Sequence, residues 1–364
     1  MVTPAEFHLK HGTLHFPQFL PDATSGQVRS LSAAATASCG TEALMMNTFH
    51  MMQKPGSASV KALGGLHRMT GWDKPIFTDS GGFQAYSLIR QNPKFGTLND
   101  NGILFRPEDS NRKLILTPEK CIQLQMSFGS DVLFCLDDCT HIDDPASEQE
   151  LSVSRTIDWA QRCRKEFDRL CGEKGLTADE RPELFAVVQG GSSKDLRRRC
   201  AEALLETGFD GYGYGGWPLD EEGELVEDMV ALVRELIPRE FPLHALGIGH
   251  PPSIAKCTTM GYGLFDSAMP TRDARHGRLY LFKRKPKRKE MARGGSWFGY
   301  LYINDSEHIR SSLPIETDCG CEVCQRYSRG YLRHLFKLND CLYQNLATRH
   351  NLHFMNRLMG LLRA

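Results

Sequence analysis

The chain has 364 residues, 41% of them hydrophobic, which is enough for one large barrel or two ordinary domains and marks an ordinary globular protein. Lys plus Arg and Asp plus Glu each total 44, so the net charge is zero and gives no global case for binding nucleic acid; any such surface has to be local. Met1-Val2-Thr3-Pro4-Ala5-Glu6 has no basic stretch leading into an apolar core, and no run approaches 18 apolar residues, so the protein is read as cytoplasmic, free of membrane spans, with most of its twelve cysteines reduced.

Short apolar runs ending in small or polar residues recur along the chain, separated by segments of helical period, and this alternation predicts parallel strands joined by helices. Eight such runs are found: Phe16–Leu20, Ala43–Asn47, Pro75–Asp79, Val132–Asp137, Leu184–Gln189, Gly211–Gly215, His244–Gly247 and Leu264–Ser267. Helices are expected over Pro118–Phe128, Ser147–Cys171, Ser193–Thr207, Glu221–Ile237 and Pro252–Met260, and the polar segment Gln91–Pro107 reads as a hairpin insertion. Eight units point to a (β/α)8 barrel over residues 1–300. The doubly wound sheet is the rival, but no Gly-x-Gly-x-x-Gly follows the first strand.

In a barrel of this kind the C-terminal strand ends face the active site. Those ends carry Asn47, Asp79, Asp137, Gln189, Gly215-Gly216, Gly247 and Asp266. Each has a plain structural explanation: Asp79 would cap the next helix, and Asp137-Asp138 would be loop acids. Two carboxylates in one pocket can also share nucleophile and acid/base duties at a sugar's anomeric carbon. Asp137 as acceptor, with Gln189 and the Gly216 N–H as donors, matches the hydrogen-bonding edge of guanine.

Downstream, Arg272, Arg275, Arg278, Lys283, Arg284, Lys285, Lys287, Arg288, Lys289 and Arg293 face only Asp273 and Glu290, a local basic segment suited to phosphate. Residues 301–364 read as a smaller subdomain packed on the barrel. Cys319, Cys321 and Cys324 fall within six residues, and with His350 they make the four-ligand set of a closed, structural zinc site. His334 and His353 compete as the fourth ligand. His350 is preferred because the helix-rich stretch before it can fold back on the cysteines.

Phe77-Thr78-Asp79-Ser80-Gly81-Gly82-Phe83-Gln84, Val188-Gln189-Gly190-Gly191, Phe265-Asp266 with Met269-Pro270-Thr271-Arg272, and the Cys-x-Cys-x-x-Cys…His cluster together resemble the tRNA-guanine transglycosylase, or queuine tRNA-ribosyltransferase, family from about Phe16 to Phe354. The resemblance implies exchange of guanine at the tRNA wobble position for a 7-deazaguanine. Asp266 matches the nucleophile that forms a covalent ribosyl intermediate, and Asp79 the general acid/base. Asp137, Gln189 and Gly216 match base-reading positions, Cys139 lines the same pocket, and Asn47 lies near the ribose. Arg272 and Arg275 match contacts to the flanking bases. A homodimer is implied as well.

Several residues depart from the family pattern. Trp217-Pro218 replaces Leu and a small residue and should reshape the base pocket, Leu246 stands where Met is frequent, and Asp22 replaces Val or Gly. The chain starts later than typical bacterial members, so an N-terminal strand or two is expected to be absent, and Lys283–Lys289 reads as an insertion. These departures leave open an exchange on DNA or a hydrolase releasing queuine-like bases. Asp79 and Asp266 argue against a noncatalytic partner subunit.

Overall fold

Eight strands, β1 (Gln18–Pro21), β2 (Leu44–Asn47), β3 (Ile76–Asp79), β4 (Val132–Phe134), β5 (Glu183–Val188), β6 (Gly211–Tyr214), β7 (Leu243–Ala245) and β8 (Leu264–Ser267), form one sheet in the order β1-β8-β7-β6-β5-β4-β3-β2. Every pairing is parallel. Just past β1, Asp22 bridges Met45 in parallel, and the Ala23 N–H donates to the Met45 carbonyl at 2.7 Å, which joins β1 to β2 and closes the ring. The fold is the expected (β/α)8 barrel. This computed structural model describes residues 5–106, 113–142, 144–220, 222–284, 286–287, 290–291 and 296–364.

Strand alternation sorts the barrel into an inside and an outside. Leu20, Met45, Phe77, Phe134, Phe185, Val187 and Leu264 pack together in the interior, whereas Phe19, Met46, Ile76, Leu133, Val188, Ala245 and Phe265 belong to the larger core shared with the helices. Two residues beyond an interior position the chain again points inward. That rule sends Asp22, Asn47, Asp79, Gln189 and Asp266 to one layer at the C-terminal mouth.

The opposite end is covered by an antiparallel ribbon, Glu6–Leu9 with Gly12–His15, whose Phe7 lies 5.9 Å from Phe185 ring to ring and whose Leu14 joins the interior cluster. The sequence reading did not place this ribbon. Asp131, ahead of β4, fastens it: its carboxylate accepts from the His11 N–H (3.2 Å), the Ile76 N–H (2.8 Å) and the rings of His11 (2.6 Å) and His67 (3.1 Å). Burial pushes this carboxyl up, but hydrogen bonds from His67, Ile76 and His11 outweigh it and hold it below the ordinary range.

The helix Pro118–Phe128 forms as expected, behind a Thr117 cap whose hydroxyl accepts the Lys120 N–H. Ala146–Lys174, Lys194–Thr207 and Pro251–Met260 follow the expected positions closely, the first running a turn further to a left-handed Gly175. The helix expected over Glu221–Ile237 is shorter, Glu227–Leu236, because Leu219 and Leu225 pair as an antiparallel bridge and Asp220 Oδ1 accepts the Glu224 N–H at 2.8 Å in a turn; Glu221 lies outside the described residues. The expected hairpin is Gly96–Asn99 with Gly102–Phe105, joined by a third strand, Leu114–Leu116; Pro107 lies outside the described residues.

Beyond β8, strands Arg278–Phe282 and Phe298–Tyr302 pair antiparallel and roof a second core of Leu279, Leu301, Ile303, Ile315, Leu332 and Leu346. Of the basic insertion, Lys285, Arg288 and Lys289 lie outside the described residues, as does Arg293. The last helix, Cys341–Arg363, spans both cores: Tyr343 and Leu346 sit in the second, Leu352, Met355 and Leu358 against the barrel. Among the described residues no helix is long and apolar enough to cross a membrane.

Candidate functional site

Asp79 ends β3 and is held on several sides. Its Oδ2 accepts the Asn47 amide at 2.7 Å, and its Oδ1 accepts the N–H groups of Thr48 (3.2 Å) and Gly81 (3.0 Å). Asn47 in turn caps the short helix Thr48–Met51, its Oδ1 accepting the His50 N–H at 2.8 Å, so its amide is fixed with the nitrogen toward Asp79. Asp79 therefore does more than cap the following helix, whose first turn has Gly81 at its head and no side-chain cap. Burial pushes the Asp79 carboxyl up to about 7, against the pull of the Thr48 and Asn47 donors, and the negative charges of Asp266 and Asp22 add to the rise.

Asp266, inward-facing on β8, is positioned from the neighbouring strand β7. Its Oδ1 accepts from His244 Nε2 at 2.9 Å and from the Gly247 N–H at 3.0 Å, while the side chain keeps 18% of its surface exposed to the mouth. Gly247 adopts φ +74, a turn that presents its N–H inward. His244 is wholly buried, edge-on to Phe77 and Phe134, and its Nδ1 has no partner among the described residues. The neutral tautomer with the proton on Nε2 satisfies this geometry: it donates to Asp266 and holds the carboxylate in one orientation.

Across the mouth, the Asp137 carboxylate accepts Gln189 Nε2 at 2.7 Å and the Ser80 hydroxyl at 3.2 Å; burial pushes it up to about 6 despite these donors. Asp138 turns the other way and meets Arg155 at 3.2 Å, so the two adjacent acids have separate surroundings. Gln189 is fully buried, and its Oε1 has no partner among the described residues. A Cβ on Gly215 would stand 2.6 Å from Gln189 Nε2, and Gly216 turns at φ +87, so glycines keep this wall open. Cys139 is buried beside the Gly216 N–H, and burial pushes its thiol well up. Leu246 packs on the barrel interior below. Trp217 is 41% exposed and lies nearly parallel to Phe83 (6.2 Å between centroids, 21°) and His141 (6.2 Å, 26°), an aromatic row along the rim.

The helix Met269–Arg275 leaves β8 directly after Asp266, with Arg272 exposed and Arg275 half-buried, its Nη1 without a partner among the described residues. Away from the mouth, Cys319, Cys321, Cys324 and His350 are buried with their ligand atoms within 4.8 Å of one another, a group that can hold a metal ion. His350 Nδ1 lies 4.0, 3.6 and 3.4 Å from the three sulfurs, and Nε2 sits 2.7 Å from the Tyr280 carbonyl. With Nε2 donating to that carbonyl, Nδ1 keeps its lone pair for the metal. His334 is exposed on another helix; His353, one turn beyond His350, also reaches Cys319.

A sequence model of the queuine tRNA-ribosyltransferase family matches residues 4–364. The chain belongs to this family. Queuine tRNA-ribosyltransferases are pentosyltransferases, and relatives bearing that name include those of Syntrophobacter fumaroxidans, 37% identical over 97% of this chain and 87% of its own length, and Lysinibacillus sphaericus, 34% identical over 97% and 85%. The enzyme so named in Staphylococcus aureus is 34% identical over 97% of this chain and 86% of its own length.

Within this member of the queuine tRNA-ribosyltransferase family the fold gathers Asn47, Asp79, Asp137, Cys139, Gln189, Gly216, Leu246, Gly247 and Asp266 at one mouth, and keeps the Cys3His cluster apart from it. Sequence reading missed three participants. His244 was legible as the interior neighbour of Leu246 by strand alternation. Arg197 was not: it is buried on the next helix, donating to the carbonyls of Val188 (2.7 Å), Gly191 (3.1 Å) and Gly215 (2.9 Å), which braces both glycine loops. Asp22 was noticed only as a departure, because the predicted first strand stopped at Leu20.

Proposed function

We propose that this chain exchanges guanine in tRNA, at the wobble position, for a 7-deazaguanine base through a covalent ribosyl intermediate on Asp266. The observation carrying this reading is the division of labour between two inward-facing carboxylates: Asp266 oriented by His244 and Gly247 with part of its surface open, Asp79 pushed up to about 7. An oxygen of Asp266 attacks C1′ of the ribose as the bond from C1′ to guanine N9 breaks, and the Asp79 carboxyl gives its proton to the leaving base. The incoming base then loses its N9 proton to the Asp79 carboxylate and its N9 attacks C1′, releasing Asp266. Asp137 accepts from the base ring N–H and amino group. Gln189 and the Gly216 N–H donate to its carbonyl, and Cys139, Trp217 and Leu246 shape the surrounding wall. Asn47 holds Asp79 beside the ribose.

The target nucleotide leaves its stack to reach the mouth, and Arg272 and Arg275 meet the adjacent nucleotides. Zinc is the metal that suits three thiolates and an imidazole, closed to solvent and structural; the active form is a homodimer, as the family resemblance implies. The test is nucleoside mass spectrometry of tRNA carrying guanine at the wobble position, after incubation with the protein and queuine, 7-aminomethyl- or 7-cyano-7-deazaguanine in turn. A new deazaguanosine is expected, with Asp266→Asn forming no denaturation-stable protein–RNA adduct. No incorporation by metal-loaded protein overturns the assignment, and an adduct retained by Asp266→Asn overturns the nucleophile.

A further inference from the structure

Besides Asp79, Asp137 and Asp266, strand alternation brings the Asp22 carboxylate to the mouth. Asp22 follows Leu20 by two residues, and Pro21 pairs with Ser267, so Asp22 stands at the rim beside the strand that carries Asp266. Its mutual repulsion with Asp266 and Asp79, and its attraction to His50 and Arg275, place it among the charged groups of the site.

Strand order dictates what each arc of the rim can touch. Asp137, Gln189 and Gly215-Gly216 follow β4, β5 and β6, and the buried Gln189 amide, whose Oε1 has no partner among the described residues, marks that arc as the seat of a polar ligand. A base seated there, with its C1′ at Asp266, sends its furanose over the remaining arc, β8-β1-β2. By strand alternation Asn47 and Asp22 face that arc, with His50 and Arg275 close to Asp22. The Asn47 amide is engaged at both atoms, by the His50 N–H at 2.8 Å and by Asp79 at 2.7 Å. Asp22 receives the Thr24 N–H at 3.2 Å and the Thr24 hydroxyl, both on Oδ1; among the described residues Oδ2 accepts nothing.

We propose that Asp22 Oδ2 accepts a hydrogen bond from the 2′-hydroxyl of the target ribose and so selects RNA over DNA, an inference that rests on Asp266 as the group attacking C1′. The 2′-hydroxyl sits on the carbon next to C1′, it is a donor, and DNA lacks it. A hydrogen bond at this position strengthens as positive charge develops on the sugar, so it acts more on kcat than on KM.

The experiment measures exchange of labelled guanine into an RNA hairpin whose target nucleotide is either ribo- or 2′-deoxyguanosine. Wild type should lose about ten- to a hundred-fold in kcat/KM on the deoxy target, the size of one hydrogen bond to a charged acceptor. Asp22→Ala should lose as much on the ribo target and little further on the deoxy target. Asp22→Asn, which keeps an oxygen for Thr24, should retain part of the preference. Wild type indifferent to the 2′-hydroxyl, or Asp22→Ala discriminating as strongly as wild type, overturns the proposal; the wild-type comparison needs no variant to fold. Wild type silent on both hairpins overturns the ribosyl-Asp266 reading and this inference with it.

Discussion

At the scale of single residues, the environment of Asp79 sets two opposite demands. Its carboxyl, raised to about 7, binds its proton more tightly folded than unfolded. The folded state thus holds the extra proton between about pH 4, where an unperturbed Asp titrates, and about 7, and the stability this contributes is present below that window and lost as pH rises through it. Exchange uses the protonated Asp79 carboxyl as guanine leaves and the carboxylate as the new base enters, so its rate should peak near pH 7 and fall on either side. Asp79→Asn should remove both trends: melting temperature should fall less between pH 5 and 7 than in wild type, and exchange should drop by about 10²–10⁴-fold at every pH. Parallel pH slopes of melting temperature for the two proteins would show that Asp79 is not the buried titrating group. That Asp79 and Asp266 reach the mouth was legible because both end strands whose apolar runs are easy to see. His244 and Asp22 obey the same alternation but sit where the predicted strands began or stopped a residue or two short of the rim. Arg197 has no local signal, since its three carbonyl partners come together only in the folded loops.

At the scale of elements, the last helix links the Cys3His group to the barrel. His350, the fourth member of that group, lies midway along Cys341–Arg363, between the residues that pack on the second core and those that pack on the barrel. Cys321→Ser should lower metal content and destabilise the protein; at this chain length a loss of about 3 kcal/mol corresponds to a fall of roughly 4 °C in Tm. His334→Ala, at an exposed position outside the cluster, should leave both unchanged. Full metal occupancy in Cys321→Ser, by atomic absorption, would reject the ligand set. Helices with strong caps and long apolar faces were readable here, Pro118–Phe128 to its ends. The short helices Thr48–Met51, Ser57–Ala62 and Leu66–Thr70 were not, because pieces of four to six residues carry too little periodicity to register. The N-terminal ribbon escaped for a related reason: two four-residue strands rich in His gain their stability from Asp131 and Phe185, far along the chain.

At the scale of the whole molecule, a neutral protein that binds a polyanion has to do so with a local surface. The 44 basic and 44 acidic residues cancel, so no long-range field draws RNA in, and affinity falls to the few cations placed near the mouth. Arg272 is exposed on the helix leaving Asp266, the shortest route from the reacting strand to solvent. If it meets a phosphate or a flanking base of the bound anticodon loop, Arg272→Ala should weaken tRNA binding, and the slope of log K against log salt distinguishes the two contacts. Loss of a phosphate contact shallows the slope by about one, whereas loss of a base contact lowers affinity with the slope little changed and relaxes the preference for the neighbouring nucleotide. Fluorescence anisotropy of labelled tRNA over a range of salt reads both quantities. Unchanged affinity and slope would place tRNA elsewhere on the rim and leave Arg272 a solvated surface charge. The contrast with Arg275 sharpens the measurement: it is half-buried, with one nitrogen unpartnered among the described residues and burial lowering its pKa, so the proposed contact would be to a ligand at the mouth itself. Arg275→Ala should therefore cost affinity at high salt as well as low.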